Sequence, residues 1–158
     1  MTEIFPWQTA LWISLIERYQ KSRLPHAFLF EGNKGIGKTH FAHTFAALLL
    51  CQMTDRENAC GECRSCDLLK TELHPDLTDI KPEGLSQTIK IDQIRSLNEY
   101  IVKTAHFRGY RVVIISSADK MNQAASNALL KTLEEPPPQV VFILLTDSPH
   151  RISPTIRS

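Results

Sequence analysis

The chain of 158 residues is long enough for one domain with a substantial core, and 42% of its residues are hydrophobic. A formal net charge of +1 excludes a strongly basic surface as the main determinant of function, and the ordinary apolar content excludes a disordered chain. The amino terminus shows no secretory signal, and the longest hydrophobic run, 45–51, is far shorter than the about 20 residues of a membrane span. We therefore expect a cytoplasmic protein.

Helical and strand patterns alternate from the amino terminus onwards. Apolar residues at helical spacing predict a helix over 7–21, and the apolar run 27–31 before a glycine-rich turn predicts a buried strand. A second helix is predicted over 38–50. An insertion that contains all four cysteines follows at about 51–75, and a short strand is predicted over 77–80.

The second half of the chain continues this alternation. A helix is predicted over 91–101 and a strand over 111–115, where arginine precedes four β-branched residues. Another helix contains Ala125 and Leu133 and ends at three prolines, and the last strand is predicted over 140–145. Strands that alternate with helices favour an α/β fold of three layers, with a parallel sheet between two layers of helices.

A glycine-rich segment between the first strand and the second helix matches the phosphate-loop motif at every fixed position. Its residues are Gly32, Asn33, Lys34, Gly35, Ile36, Gly37, Lys38 and Thr39. Glycines let the backbone turn its N–H groups onto a polyanion, the lysine reaches the β- and γ-phosphates, and the threonine hydroxyl binds Mg²⁺. The sequence therefore predicts a site for ATP and Mg²⁺.

The acidic residues that hydrolysis requires are missing from their expected place. ATPases of this class hold magnesium with an acid at the end of a second apolar strand. Here that strand is followed by Ser116 and Ser117, which carry no negative charge. We predict nucleotide binding with little or no turnover and assign no catalytic residue. The alternative is that Asp119, three residues further on, or Asp79 supplies the carboxylate.

Cys51, Cys60, Cys63 and Cys66 are spaced C-x8-C-x2-C-x2-C. Four thiolates complete a closed tetrahedral zinc site, and an insertion of roughly 25 residues with little core of its own gains order from a metal. We predict a structural Zn²⁺. An iron–sulfur cluster and free thiols remain alternatives, although ferredoxin motifs place the fourth cysteine downstream.

Other residues that could carry chemistry receive plainer interpretations. The six histidines show no metal-ligand spacing and are interpreted as surface or packing residues. Trp7 and Trp12 fall within the first predicted helix and are interpreted as packing residues. The segment 74–76 is interpreted as a turn without chemistry.

Taken in order, these segments resemble the N-terminal ATPase module of the clamp-loader subunits of bacterial DNA polymerase III. The resemblance is carried by 26–30 before the phosphate loop, by the four-cysteine insertion and by 127–137, NALLKTLEEPP. It covers nearly the whole chain. It implies a P-loop domain of the AAA+ (RecA-like) type over 1–158, with a four-cysteine zinc module inserted at about 51–75.

The family contains ATP-hydrolysing motor subunits, gamma and tau, and a delta prime class that is regarded as a stator. In the motors an Asp-Glu pair stands eleven and ten residues before the asparagine of the 127–137 run, where this chain has Ser116 and Ser117. The chain therefore resembles the delta prime class. A motor-type ATPase of the same family is the alternative, and a P-loop nucleotide kinase is a more distant one.

The resemblance also implies an assembly. The expected partners are gamma or tau and delta subunits in a hetero-pentamer, with the sliding clamp and primed DNA contacted through the assembly and no membrane involved. The assembly works with a DNA-directed DNA polymerase, a nucleotidyltransferase. Thr146 matches the family's polar sensor residue, and the lid and C-terminal oligomerisation domains of the family are expected to lie outside this chain.

Overall fold

The structure, a computed structural model, describes residues 4–53, 57–103, 105–107 and 109–157. A 3-10 turn over Pro6–Gln8 precedes the first helix. The elements in chain order are α1 Thr9–Gln20, β1 Ala27–Glu31, α2 Lys38–Leu50, α3 Arg64–Lys70, β2 Leu77–Ile80, α4 Ile91–Ile101, β3 Arg111–Ile115, α5 Gln123–Glu134, β4 Val140–Thr146 and α6 Pro154–Arg157.

The four strands form one parallel sheet in the order β1-β4-β3-β2. All strands therefore end at the same edge, where the segments that follow them come together. Strands β3 and β4 are central and buried along their whole length, as their continuous runs of aliphatic residues indicate. The predicted parallel α/β architecture is confirmed.

Successive side chains of the central strands enter two different cores, because side chains alternate across a sheet. One core joins the sheet to α1 and α2 and contains Trp12, Phe45 and Ile114. The other joins it to α4 and α5 and contains Leu97, Leu129 and Phe142. The helices therefore cover both faces and make the three layers that the sequence predicts.

Three boundaries differ from the predictions by one or two residues: both ends of the first α-helix, which spans Thr9–Gln20 and not 7–21, and the end of β4. The first α-helix begins at Thr9 and not at 7, because the chain first makes a 3-10 turn with Pro6 in its first position, where a missing N–H costs nothing. Strand β4 ends one residue later than predicted, at Thr146, because Thr146 pairs with Glu31 at the end of β1.

Candidate nucleotide and metal sites

The predicted phosphate loop joins the end of β1 to the start of α2. Gly37 is the N-cap of α2 and has φ 90°, a left-handed conformation that side chains rarely adopt. A Cβ atom at this position would lie 2.6 Å from the ring of Phe5, so both the conformation and the space require glycine. Gly35 has φ 88° and an open surrounding. The N-terminal turn of α2 therefore presents backbone N–H groups to the loop, as anion binding requires.

Lys38, the loop lysine, makes three polar contacts. Its Nζ lies 2.8 Å from the carbonyl oxygen of Gly32, 3.0 Å from that of Asn33 and 2.5 Å from Oδ1 of Asp147. Its side chain is 11% exposed, and that of Asp147 is 47% exposed. The lysine is therefore held over the loop, with its charge balanced by a carboxylate from the end of β4.

A cavity of about 480 Å³ adjoins the loop, within the size range of small-molecule sites. Its walls combine loop residues with residues that follow β3 and β4. They include Lys34, Gly35, Gly37, Lys38, Thr39, Ser116, Ser117, Thr146 and Asp147. The ammonium, the loop glycines and the N-terminus of a helix form a donor set that fits a polyphosphate.

The segment before α1 covers the loop. The indole Nε1 of Trp7 donates to the carbonyl oxygen of Ile36 over 3.1 Å, and the amide of Gln8 donates to the carbonyl oxygen of Gly37 over 3.2 Å. The rings of Phe5 and Trp7 stack with centroids 4.9 Å apart. Trp12 is buried in the core, whereas Trp7 packs on Phe5 at the surface. Its side chain is 67% exposed, because it lies on the loop outside α1.

Ser116, which follows β3, contacts a carboxylate from the neighbouring strand. Its hydroxyl donates to Oδ1 of Asp79 over 2.9 Å. Oδ2 of Asp79 lies 3.6 Å from Nε2 of His43 and 3.8 Å from Nζ of Lys81. The hydrogen bond to Asp79 raises the pKa of His43, against the opposing effect of burial. A carboxylate is thus present one strand away from the serine pair, with the basic side chains of His43 and Lys81 beside it.

Asp119 reaches the same edge by a sharp turn. Ser117 has φ 57° and ψ 53°, and a 3-10 turn over Ala118–Lys120 follows it. The turn brings Asp119 to Thr146, whose hydroxyl donates to Oδ1 of Asp119 over 2.6 Å. The contact is with the predicted sensor residue and not with Ser116. Of the two carboxylates considered in the sequence, Asp79 is the one hydrogen-bonded to Ser116.

The four cysteines of the insertion come together as predicted. Their sulfur atoms all lie within 4.8 Å of one another, with Cys51 and Cys63 4.0 Å apart and Cys60 and Cys66 3.9 Å apart. Four thiolates at the Zn–S distance of about 2.3 Å have sulfur–sulfur separations of about 3.8 Å in a regular tetrahedron. The cluster could therefore hold a metal ion.

Backbone N–H groups surround the sulfurs. Cys60 Sγ accepts from the amides of Glu62 at 3.4 Å and Cys63 at 3.2 Å, and these bonds lower the pKa of Cys60 to about 6. Burial raises the pKa of Cys66 to about 12. N–H donors of this kind orient metal-ligating sulfurs and stabilise their negative charge. Within the described residues, the cysteines form the only group of three or more candidate metal ligands.

A buried hydrogen-bond chain joins the cysteine insertion to the sheet, and sequence reasoning missed it. The amide of Asp76 donates to Nδ1 of His74 over 3.0 Å, so the ring hydrogen is on Nε2, which donates to Ser65 Oγ over 2.6 Å. That hydroxyl donates to the carbonyl oxygen of Leu50, at the end of α2, over 2.5 Å. His74 is therefore a neutral buried residue that positions α3 against α2.

Replacing His74 by asparagine is expected to lower the free energy of unfolding by about 1–3 kcal/mol, because Ser65 loses its buried donor. Burial lowers the pKa of His74. The unfolded chain therefore takes up the proton first as the pH falls, and the contribution of His74 is complete above about pH 6.5 and is lost below it. Urea unfolding at pH 7.5 and 5.5 checks this: the loss on acidification should be smaller for His74→Asn than for the unchanged chain. An equal loss in both would contradict the assignment.

No helix in the described part of the chain combines the length and the apolar character needed to cross a bilayer.

Comparison with known proteins gives consistent results. The family model described as "DNA polymerase III, delta subunit" matches residues 7–158. The "DNA polymerase III subunit delta'" of Pseudomonas aeruginosa is 45% identical over the whole chain, which covers 47% of that protein. The "DNA polymerase III subunit tau" of Bacillus subtilis is 35% identical over 138 residues, which are 87% of this chain and 24% of that one. The chain therefore spans about half the length of its delta prime relative.

Solved structures show the same fold. A DNA polymerase III gamma subunit-related protein from Thermotoga maritima superposes with a TM-score of 0.59 at 23% identity. The superposition covers 90% of this chain and 43% of that protein. The likeness confirms the predicted P-loop AAA+ fold.

Proposed function

Since this chain belongs to the DNA polymerase III delta-subunit family, we propose that it is the nucleotide-binding module of a delta prime subunit, a component of the clamp loader. In this role it joins gamma or tau and delta subunits in a cytoplasmic pentamer that places a sliding clamp on primed DNA. The domain covers 1–158, with a zinc module inserted at about 51–75. The observation that carries the proposal is the pairing of a complete phosphate loop with two serines at the end of β3.

The phosphate loop, 32–39, binds the nucleotide. Backbone N–H groups at the start of α2 and the ammonium of Lys38 hold the phosphates, and the hydroxyl of Thr39 is the protein ligand offered to Mg²⁺. Bound Mg²⁺ supplies charge neutralisation between phosphates. The glycines at 35 and 37 keep side chains out of the way of the loop N–H groups.

Ser116 and Ser117 limit the chemistry to binding. A serine hydroxyl hydrogen-bonds water but does not take up a proton at neutral pH, and the loss of a general base costs about 10²–10⁴-fold in rate. Asp79 and Asp119 are already hydrogen-bonded to Ser116 and Thr146. We therefore expect a member of the loader that binds nucleotide with little or no hydrolysis.

The four cysteines hold a structural Zn²⁺ in this proposal. The support is the sulfur–sulfur spacing of 3.9–4.0 Å in the two closest pairs, together with the closed set of four thiols. A closed set leaves no coordination position for a water molecule, so the metal serves the fold of the insertion.

Replacing Lys38 by alanine is expected to weaken binding of ADP with Mg²⁺ by about 10- to 100-fold, since charged hydrogen bonds to phosphate are lost. Isothermal titration of the full-length protein measures the affinity. Lys21→Ala is the matched control, because Lys21 is exposed at the end of α1 and outside the cavity. Equal affinities for Lys38→Ala and the unchanged protein would overturn the assignment of the phosphate loop as the nucleotide site.

Turnover is tested in the assembled loader. Motor subunits whose own phosphate-loop lysines are replaced provide an assembly in which only this chain could hydrolyse ATP. Phosphate release should remain at background with and without Lys38→Ala. Release at about 1 s⁻¹ or faster that disappears in Lys38→Ala would overturn the proposal of a non-hydrolysing member.

One observation favours the motor-type alternative. Oδ1 of Asp79 lies 2.9 Å from Ser116 Oγ, so a carboxylate is present one strand away from the usual position. If Asp79 serves as the metal-side acid, Asp79→Asn should abolish the phosphate release measured in the same assembly. If the chain only binds nucleotide, the variant should leave the background rate unchanged.

A further inference from the structure

The ammonium of Lys38 uses all three of its N–H donors. A lysine ammonium has three N–H donors. In this chain its nitrogen contacts three acceptors, the carbonyl oxygens of Gly32 and Asn33 and the carboxylate of Asp147. A phosphate oxygen that reaches Lys38 therefore takes the place of one of these acceptors.

The three acceptors differ in how readily they give way. The two carbonyls belong to the phosphate loop itself and are neutral, and they lie five and six residues from Lys38 along the same turn. Asp147 comes from a separate segment, immediately after β4, and it carries a charge. An incoming phosphate is also an anion, so it replaces the carboxylate and not the carbonyls.

The backbone at Asp147 is fixed, although its side chain is not enclosed. The amide of Gly32 donates to the carbonyl oxygen of Thr146 over 3.3 Å, and the amide of Ser148 donates to the hydroxyl of Thr146 over 2.9 Å. These bonds hold the segment beside the loop. The side chain of Asp147 is 47% exposed, so it turns into solvent when its partner is taken.

We propose that Asp147 is an internal counter-ion of the phosphate-loop lysine that competes with the phosphates of a nucleoside di- or triphosphate and so lowers the affinity of the site. The inference rests on the proposed nucleotide binding and adds a residue that works against it.

If Asp147 instead supported nucleotide binding, the expected change in affinity would have the opposite sign. If Asp147 held a metal-bound water or oriented Lys38 toward the phosphate, removing its charge would weaken binding. The sign of the change in affinity therefore separates a competing from a supporting carboxylate.

The test compares the full-length protein with Asp147→Asn, which removes the charge and keeps the shape. Titration with ADP and Mg²⁺ should show affinity about 2- to 5-fold tighter, in keeping with the loss of a partly exposed ion pair. Asp92→Asn is the matched control, because Asp92 is exposed on α4 and does not line the cavity, and its affinity should equal that of the unchanged protein.

The combination with Lys38→Ala shows whether the effect passes through the lysine. In the Lys38→Ala protein, Asp147→Asn should give less than half of the gain in ADP affinity that it gives in the unchanged protein, because no ammonium is left for which carboxylate and phosphate compete. An equal tightening in both backgrounds would assign the effect to overall charge and would overturn the inference, as would weaker or unchanged binding in Asp147→Asn. If binding depends on Lys38 and Asp147→Asn leaves the affinity unchanged, this inference alone is refuted. If neither the unchanged protein nor Asp147→Asn binds ADP, or if binding does not depend on Lys38, the proposed function is refuted and this inference with it.

Discussion

Replacement of Asp76 by alanine is expected to lower the free energy of unfolding by about 3–5 kcal/mol, the usual cost of removing one partner from a buried ion pair. Asp76 is completely buried, and its carboxylate accepts from the guanidinium of Arg111 at 3.3 Å and from the amides of His106 at 2.7 Å and Phe107 at 3.0 Å. Alanine leaves the charge of Arg111 buried beside the ring of Tyr100, 4.2 Å from its centroid, without its carboxylate.

Urea unfolding of the purified chain at pH 7.5 measures the change. Asp92→Ala is the control, since Asp92 is an exposed aspartate whose ion pair with Arg95 is worth less than about 1 kcal/mol. The pair Asp76→Leu with Arg111→Met removes both charges and should cost less than Asp76→Ala alone. A midpoint for Asp76→Ala equal to that of the control would contradict the anchoring role of this carboxylate.

Replacement of Cys66 by serine is expected to abolish stoichiometric zinc binding and to unfold the insertion. Cys66 is fully buried, and its sulfur lies 3.9 Å from that of Cys60. Structural zinc contributes on the order of 10 kcal/mol to the folding of small zinc modules, so a lost ligand removes much of the order of this segment. Metal analysis should find one zinc per chain before the change and a small fraction of that after it.

Glu62→Gln is the matched control for the metal experiment. Residue 62 lies between Cys60 and Cys63, and the substitution leaves all four thiols in place. The backbone amide of residue 62, which donates to Cys60 Sγ, also remains. Its zinc content should equal that of the unchanged protein. Proteolysis should cut the insertion of Cys66→Ser and not that of the control. A visible absorption band from bound iron, or a protein that folds fully without any metal, would contradict the zinc assignment.

The sequence allowed most of the architecture to be predicted because its strongest patterns are local. The sequences of β3 and β4 are almost entirely aliphatic, as expected for strands that are buried on both faces at the centre of a sheet. The phosphate loop is recognised from eight consecutive residues, and three of the four cysteines lie within seven residues of one another. Each of these patterns needs no knowledge of distant residues.

The features that were missed depend on contacts between residues far apart in the chain. The ion pair of Asp76 with Arg111 spans 35 positions, and the contact of Lys38 with Asp147 spans 109. Strand order decides both: β2 pairs with β3, which brings residue 76 beside Arg111, and β4 lies next to β1 although it is last in sequence, which brings Asp147 to the phosphate loop. The exposed position of Trp7 was missed for another reason: helical spacing continues into the 3-10 turn, so periodicity alone does not mark the start of α1.

The arrangement of the parallel sheet has a functional consequence. The phosphate loop joins β1 to α2, whereas the residues that would drive turnover follow β3. Strand β4 separates β1 from β3 in the sheet. Substitutions after β3 therefore leave the backbone of the phosphate loop unchanged. Under the proposed function, turnover is therefore lost and nucleotide binding kept by a change of two side chains, with no change of the scaffold.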